Sequence, residues 1–168
     1  MKSIVTIYKG KEYRSRLEAD MAWVIHRIGH EYEYEPHSFL LPVSGVHYLP
    51  DFYVRRLGLW IEARGYETAK GEMQIREFAA GVMRGDLKGE PDYMVVRYAS
   101  EEFYEAGAND RENVALAQCG VCGGYFFLGN NGSYRCRCGC GAADGDGHLV
   151  VLKYFDGIEK LKLEVGTV

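Results

Sequence analysis

The stretch "HYLPDFYVRRLGLWIEARG", His47 to Gly65, constrains the fold more than any other part of the chain. Two short runs rich in aromatic and aliphatic residues flank a turn at Leu57–Gly58, which is the pattern of a β-hairpin. An acid stands near the outer end of each run. Asp51 follows Pro50 at the start of the first strand, and Glu62 lies in "LWIEAR" near the end of the second. A hairpin closed at Gly58 therefore brings the two carboxylates side by side.

That placement has a chemical reading. Hydrolysis of a phosphodiester requires an activated water and stabilisation of the leaving oxygen. A magnesium ion held by one or two carboxylates supplies both. Asp51, Glu62 and the carbonyl of Ala63 are the candidate magnesium ligands, with manganese as a substitute. Glu62 sits between apolar neighbours, and a buried carboxylate needs a partner or a metal. A structural alternative stands beside this one. Asp51 is then a turn residue after Pro50, and Glu62 pairs with Arg55 or Arg56 across the hairpin.

The elements around the hairpin follow from periodicity. Ile4–Tyr8 reads as a short strand turning at Lys9–Gly10. "SRLEADMAWVIHRIG" places Leu17, Met21, Val24, Ile25 and Ile28 at helical spacing, with Ser15 as cap and Gly29 as stop. Ser15 and Glu18 form a capping box in which the glutamate bonds back to the cap. Helix physics favours that cap, but Glu18 also shares an edge of the apolar stripe, so the alternative is a third acid facing the sheet. His26 and His30 read as partners of the helix C-terminus. "EYEYEP" reads as a strand. A second helix runs from Glu67 to about Arg84, weakened by Gly71 and Gly81 at roughly 1 kcal/mol each. "DYMVVRYA" reads as a buried strand that the second helix returns parallel to the hairpin.

Composition sets the class. The 168 residues are 47% hydrophobic and 26% charged, which excludes a disordered chain and allows one compact domain with a small appendage. The net charge of −4 leaves a nucleic-acid partner open, because binding needs a local basic face and not a basic total. No apolar run is long enough for a membrane helix. The N-terminus lacks the pattern of a signal peptide, so a cytoplasmic location is expected.

All five cysteines fall between Cys119 and Cys140, an odd and tight cluster that argues for metal before disulfides. Cys119-Gly-Val-Cys122-Gly is a knuckle spacing for two corners of a zinc tetrahedron. Cys136 with Cys138 is the preferred second pair, because a glycine follows it, and Cys140 in place of Cys138 makes a roomier loop. The expected module is a zinc ribbon, with a hairpin around "NNG" and a third strand from "HLVVLKYF". The chain accordingly divides at residues 1–108 and 109–168. Arg135 and Arg137, among Tyr125, Phe126, Phe127 and Tyr134, offer cations beside aromatic faces, a pairing that suits nucleic acid. "DGDGH", Asp144 to His148, reads as a turn.

The words "YRSRLEADMAWVIHRIGHEYEYEPHSFLL", "HYLPDFYV" and "LWIEARG", in that order, resemble the PD-(D/E)XK nuclease superfamily, most closely small phage and bacterial endonucleases of the resolvase kind. The resemblance covers Tyr13 to Gly65 and extends plausibly to Tyr98. It implies a restriction-endonuclease-like α/β core, a mixed central sheet flanked by helices. It implies a DNA-cleaving enzyme encoded by a bacterium or phage, in which Asp51 and Glu62 bind the catalytic metal and Glu18 assists. Paired cuts in a duplex would favour a homodimer. The departure is Arg64, where the family carries a lysine. Arginine keeps a charge to stabilise the phosphate but is no base, and its planar fork needs different room. Lys70 is a reserve cation, and Gln74 and Arg76 are candidate backbone contacts. The rival expectation is a catalytically inactive module of the same fold that binds nucleic acid or protein, with Arg64 merely paired to Glu67.

Overall fold

A computed structural model describes residues 4–65, 68–88, 96–99, 102–106, 114–128 and 151–155. It is a mixed α/β protein with two α-helices among these residues. The chain opens with a hairpin, β1 (Thr6–Tyr8) and β2 (Lys11–Tyr13). The two-residue turn between them has positive φ at both Lys9 and Gly10, the handedness that matches the twist of paired strands. β2 is an element that the sequence pattern did not disclose.

Helix α1 (Arg16–Arg27) begins at Ser15, whose side chain accepts the Glu18 N–H, and stops before Gly29 at φ 79°. Both ends are those expected. Met21, Ala22, Val24 and Ile25 form its buried stripe. Four short strands follow: β3 (Glu33–Tyr34), β4 (Phe39–Leu40), β5 (His47–Tyr48) and β6 (Phe52–Val54). The small β4–β5 hairpin was not anticipated. Its turn is held by the Glu77 carboxylate, which accepts the N–H groups of Val43 (2.6 Å) and Ser44 (3.0 Å).

A single 3-10 turn at Arg55–Leu57 leads to Gly58 in the left-handed region (φ 62°) and then to β7 (Leu59–Ala63). Helix α2 (Ala69–Met83) is capped by Thr68. β8 (Val96–Ala99) and β9 (Glu102–Glu105) complete the central sheet. Its strand order is β3-β6-β7-β8-β9, with β7 and β8 parallel and every other pair antiparallel. The parallel return of β8 through α2 agrees with the expectation. β9 is an addition to it.

Alternation along the central strands assigns the two helices. Phe52, Val54, Leu59 and Ile61 pack with α1, whereas Tyr53 and Trp60 pack with Ile75, Phe78, Ala79 and Val82 of α2. The sheet therefore lies between the helices, one on each face, because successive residues of a strand point to opposite sides. Glu62 shares the parity of Trp60. β6 and β7 are in register as Phe52↔Ile61, Tyr53↔Trp60 and Val54↔Leu59, and one further step puts Asp51 opposite Glu62.

A second sheet has the order β11-β10-β12, formed by β10 (Ala115–Cys119), β11 (Tyr125–Leu128) and β12 (Val151–Phe155), all antiparallel. The strand expected from "HLVVLKYF" is β12, and it pairs with β10, a central strand that the sequence pattern did not disclose. The "NNG" hairpin and the Asp144–His148 turn lie outside the described residues. Val114, Leu116 and Phe127 join the core beneath α1, and His30 Nε2 donates to the Tyr125 carbonyl at 3.0 Å. The stretches divided at residue 108 on composition thus share one apolar core.

The left-handed conformation of Gly58 closes the hairpin that pairs Asp51 with Glu62. An L-residue there meets its own carbonyl oxygen at a cost of about 1–2 kcal/mol. Gly58→Ala should therefore lower unfolding free energy by about that amount in a denaturant titration, with the slope unchanged.

Candidate acidic site

Four carboxylates converge at the open end of the β6–β7 hairpin. Asp51 (3% exposed) and Glu62 (4%) come from the sheet and Glu18 (6%) from α1, so three acids from three elements are withdrawn from water together. The fourth, Glu35, follows β3 and has φ 47°, a region that non-glycine residues seldom occupy. Its N–H donates to the Asp51 carbonyl at 2.8 Å, which fixes it beside the site.

Each acid is held by identifiable groups. Asp51 Oδ2 accepts the Ala63 N–H at 2.8 Å, across the hairpin, and Oδ1 lies 3.0 Å from Arg14 Nη2. The same Arg14 nitrogen pairs with Glu35 Oε1. Glu62 Oε1 accepts from Arg64 Nη2 at 2.7 Å. Glu62 Oε2 is buried without a hydrogen bond of ordinary geometry, and its near neighbour, the Tyr48 hydroxyl, is likewise without one. Asp51 is therefore no exposed turn residue. The cross-hairpin pairing of Glu62 with Arg55 or Arg56 does not form either: Arg55 pairs with Glu33 (2.8 Å), and Glu62 takes Arg64.

Glu18 bonds the side chain of the cap residue, not the cap's backbone N–H, and also faces inward. Its Oε1 accepts from Ser15 Oγ (2.9 Å), and its own N–H donates to Ser15 Oγ (3.1 Å), which completes the cap. Its Oε2 faces inward, where it accepts the Arg14 N–H (3.0 Å) and the Tyr34 hydroxyl. Burial and the Glu18 carboxylate push the Tyr34 phenol up to about 12, so it remains a donor.

The electrostatic cost of the cluster is visible in its titration. Burial lifts the Asp51 carboxyl well above the usual range, and the charges of Glu62 and Glu18 lift it further. The Ala63 N–H and Arg14 oppose that rise without cancelling it. Burial also raises Glu62, against the pull of Arg64 and Tyr48. Burial works against the charge on Arg64, but Glu62, Tyr48 and Asp51 together outweigh it and keep the guanidinium protonated.

The remaining candidates are scattered. Lys70, Gln74 and Arg76 lie along α2, where they line a groove of about 750 Å³ floored by Val43, Val46 and Met73. Arg76 is 3.9 Å from Glu72. His26 and His30 take separate partners. His26 contacts the Tyr8 hydroxyl (3.1 Å) and Lys9 Nζ (2.7 Å), and His30 bonds to β11. Cys119 is buried at the end of β10 and Cys122 is exposed in the following turn. That turn is tied by Cys119 N–H to the Gly124 carbonyl and Gly123 N–H to the Cys119 carbonyl, both 2.8 Å. The Gly124 N–H points at Cys122 Sγ (3.4 Å). Arg135, Cys136, Arg137, Cys138, Cys140 and Glu67 lie outside the described residues.

Sequence reasoning passed over Arg14, Tyr34, Glu35 and Tyr48. Arg14 adjoins the capping serine, and Tyr34 and Glu35 lie in "EYEYEP", so all three were in quoted words without a role. Tyr48 likewise lies in "HYLPDFYV" with nothing in its neighbours to mark a role. As the side chains stand, no three His, Cys, Asp or Glu groups among the described residues are close enough to chelate one ion. Comparison of the chain with known protein families, curated proteins and solved structures finds no match in any of them.

A carboxyl whose pKa is raised by folding contributes stability that is complete below its unfolded pKa, about 3.9 for aspartate. That contribution is lost as pH rises through the folded pKa. Asp51→Asn keeps an acceptor for the Ala63 N–H and removes the charge, and the lost pairing to the half-exposed Arg14 costs little. The variant should melt above the wild type at neutral pH, with the gain shrinking to nothing near about pH 4. A difference in Tm independent of pH would contradict the charge assignment.

Proposed function

We propose that this protein is a metal-dependent phosphodiesterase of the PD-(D/E)XK kind, acting on DNA. One observation carries the reading: carboxylates from α1, β7 and the start of β6 are buried together although burial, and then their mutual repulsion, raises the Asp51 pKa. A cluster that destabilises the fold at neutral pH is expected where a site serves chemistry. The fold supports the same reading, since an antiparallel hairpin, a crossover helix and a parallel strand between two helices is what a restriction-endonuclease-like core requires.

The donor set fits a hard divalent cation. Asp51, Glu62 and the Ala63 carbonyl are oxygen ligands of the type magnesium or manganese takes, and the buried Glu62 Oε2 has only the Tyr48 hydroxyl beside it, without a hydrogen bond of ordinary geometry. Such an ion, when bound, polarises a phosphoryl oxygen and acidifies a water. The chain's own groups do the rest. Glu18, steadied by Ser15 and Tyr34, orients a water or a second cation. Arg64 is placed to meet charge on the phosphate, because its guanidinium remains protonated next to Glu62. Arg14, with its side chain 59% exposed above buried acids, is a second cation at the mouth of the site. Lys70, Gln74 and Arg76 extend from the first turns of α2 as substrate contacts.

The C-terminal cysteines serve a structural zinc in this reading. The Gly124 N–H aimed at Cys122 Sγ favours a thiolate there, and Cys119 stands across the same turn. Cys136 with Cys138, or with Cys140, completes the tetrahedron, and Arg135 and Arg137 bring it to DNA. A second reading has an observation of its own. Arg64 already satisfies one oxygen of Glu62, which suits a module that binds nucleic acid or a protein without cutting.

Cleavage assays separate the two. Of duplex, branched and single-stranded DNA, incubated with magnesium or manganese, at least one form should be cut by the wild type. Asp51→Ala and Glu62→Ala should abolish cutting while leaving a folded protein. Arg64→Ala should reduce turnover by about 10²–10³-fold, the usual weight of one electrostatic stabiliser, and Arg64→Lys should retain it. Cleavage by Asp51→Ala at the wild-type rate would reject the site. Cutting that begins only with Arg64→Lys would favour the binding module. For the zinc, elemental analysis should find about one ion per chain, lost in Cys119→Ser.

A further inference from the structure

Gly71 is the third residue of α2, where its N–H donates to the Thr68 cap at 3.0 Å. Helix physics argues against both the residue and its neighbour. Glycine within a helix is less stable than alanine. A cation at a helix N-terminus opposes the dipole, yet Arg64 lies there. One contact accounts for both. A Cβ built on Gly71 would stand 2.1 Å from Arg64 Nη1 and 3.3 Å from its Cζ. The other guanidinium nitrogen, Nη2, is on Glu62 Oε1 at 2.7 Å. The guanidinium is thus fitted between a buried carboxylate of β7 and the bare backbone of α2, with only 24% of its side chain exposed.

We propose that Gly71 is the positioning residue for Arg64: the missing Cβ is the slot that lets an arginine occupy the place beside Glu62. The arginine is then an adapted member of the site, because a residue that had merely replaced a lysine by drift would need no matching gap in the next helix. The guanidinium is the movable partner of the contact, so a methyl at position 71 displaces Arg64 and leaves the helix in place. Displacement breaks the bond to Glu62, a buried carboxylate, and removes the cation from the point where it meets substrate. A lysine side chain carries one terminal nitrogen and no fork, so it has no need of the gap.

The stability arm of the test is a double-mutant cycle that requires no activity. Gly71→Ala should raise Tm in the Arg64→Ala background, where helix propensity is opposed only by the Thr68 Oγ1 contact at 3.1 Å, by more than it does in the wild type. Equal gains in both backgrounds would overturn the proposal. The kinetic arm rests on the nuclease reading. Gly71→Ala should lower kcat by about the same 10²–10³-fold as Arg64→Ala with KM little changed. The double variant Arg64→Lys with Gly71→Ala should cut as fast as Arg64→Lys alone. Wild-type turnover by Gly71→Ala would overturn the positioning role. If the wild type itself cuts nothing, the nuclease reading falls and the stability cycle still decides whether Gly71 seats Arg64.

Discussion

The hydrogen bond from Ala63 N–H to Asp51 Oδ2, 2.8 Å long and buried, is the point on which the site depends. It joins the start of β6 to the end of β7, beyond the last paired residues of the hairpin. It also explains how a carboxylate that is 3% exposed persists at all: one oxygen is satisfied by backbone and the other by Arg14. Without that bond the segment after Pro50 would have no reason to fold inward, and Asp51 would return to water. With it, Asp51 is carried to within the field of Glu62 and Glu18, whose charges raise its pKa.

Two arginines then balance the acids from different sides. Arg14 bridges Asp51 and Glu35 from the solvent face, and Arg64 holds Glu62 from the side of α2. Their surroundings differ. Arg14 is mostly exposed, so its ion pairs are screened. Arg64 is more than half buried and confined by Gly71, so its position is set by shape as well as charge. The same logic explains the other glycine of α2. A Cβ on Gly81 would fall 2.7 Å from Leu87, so the helix leaves room for the chain to pack as it turns away. Both glycines weaken the helix locally, and each admits a neighbouring side chain.

Much of the framework was readable from local pattern. Ser15, Gly29 and Gly58 act through their own backbone geometry, so the ends of α1 and the turn of the central hairpin could be read residue by residue. The alternation of Phe52, Tyr53 and Val54 against Leu59, Trp60 and Ile61 carries the layering, because period 2 sends neighbours to opposite helices. The short strands β2, β4 and β9 escaped notice. Each is two to four residues long, too short for a period to declare itself, and each pairs only with the strand next to it in the chain.

The amino-acid sequence by itself determined that Asp51 and Glu62 would face one another, since hairpin register and side-chain parity are local properties of the chain. It also determined that Glu18 would stand at a helix start, where capping places it. Only the tertiary structure decided what each acid is bound to. Glu35 and Arg14 enter the site through contacts between separate elements. Arg64 takes Glu62 as its partner instead of Arg55 or Arg56 doing so, because α2 presents a gap at Gly71 and Arg55 is drawn off by Glu33. The physical reason is range. Turns, caps and strand parity are settled within a few residues, whereas the pairing of charges depends on which groups from remote segments arrive together in a place that water does not reach.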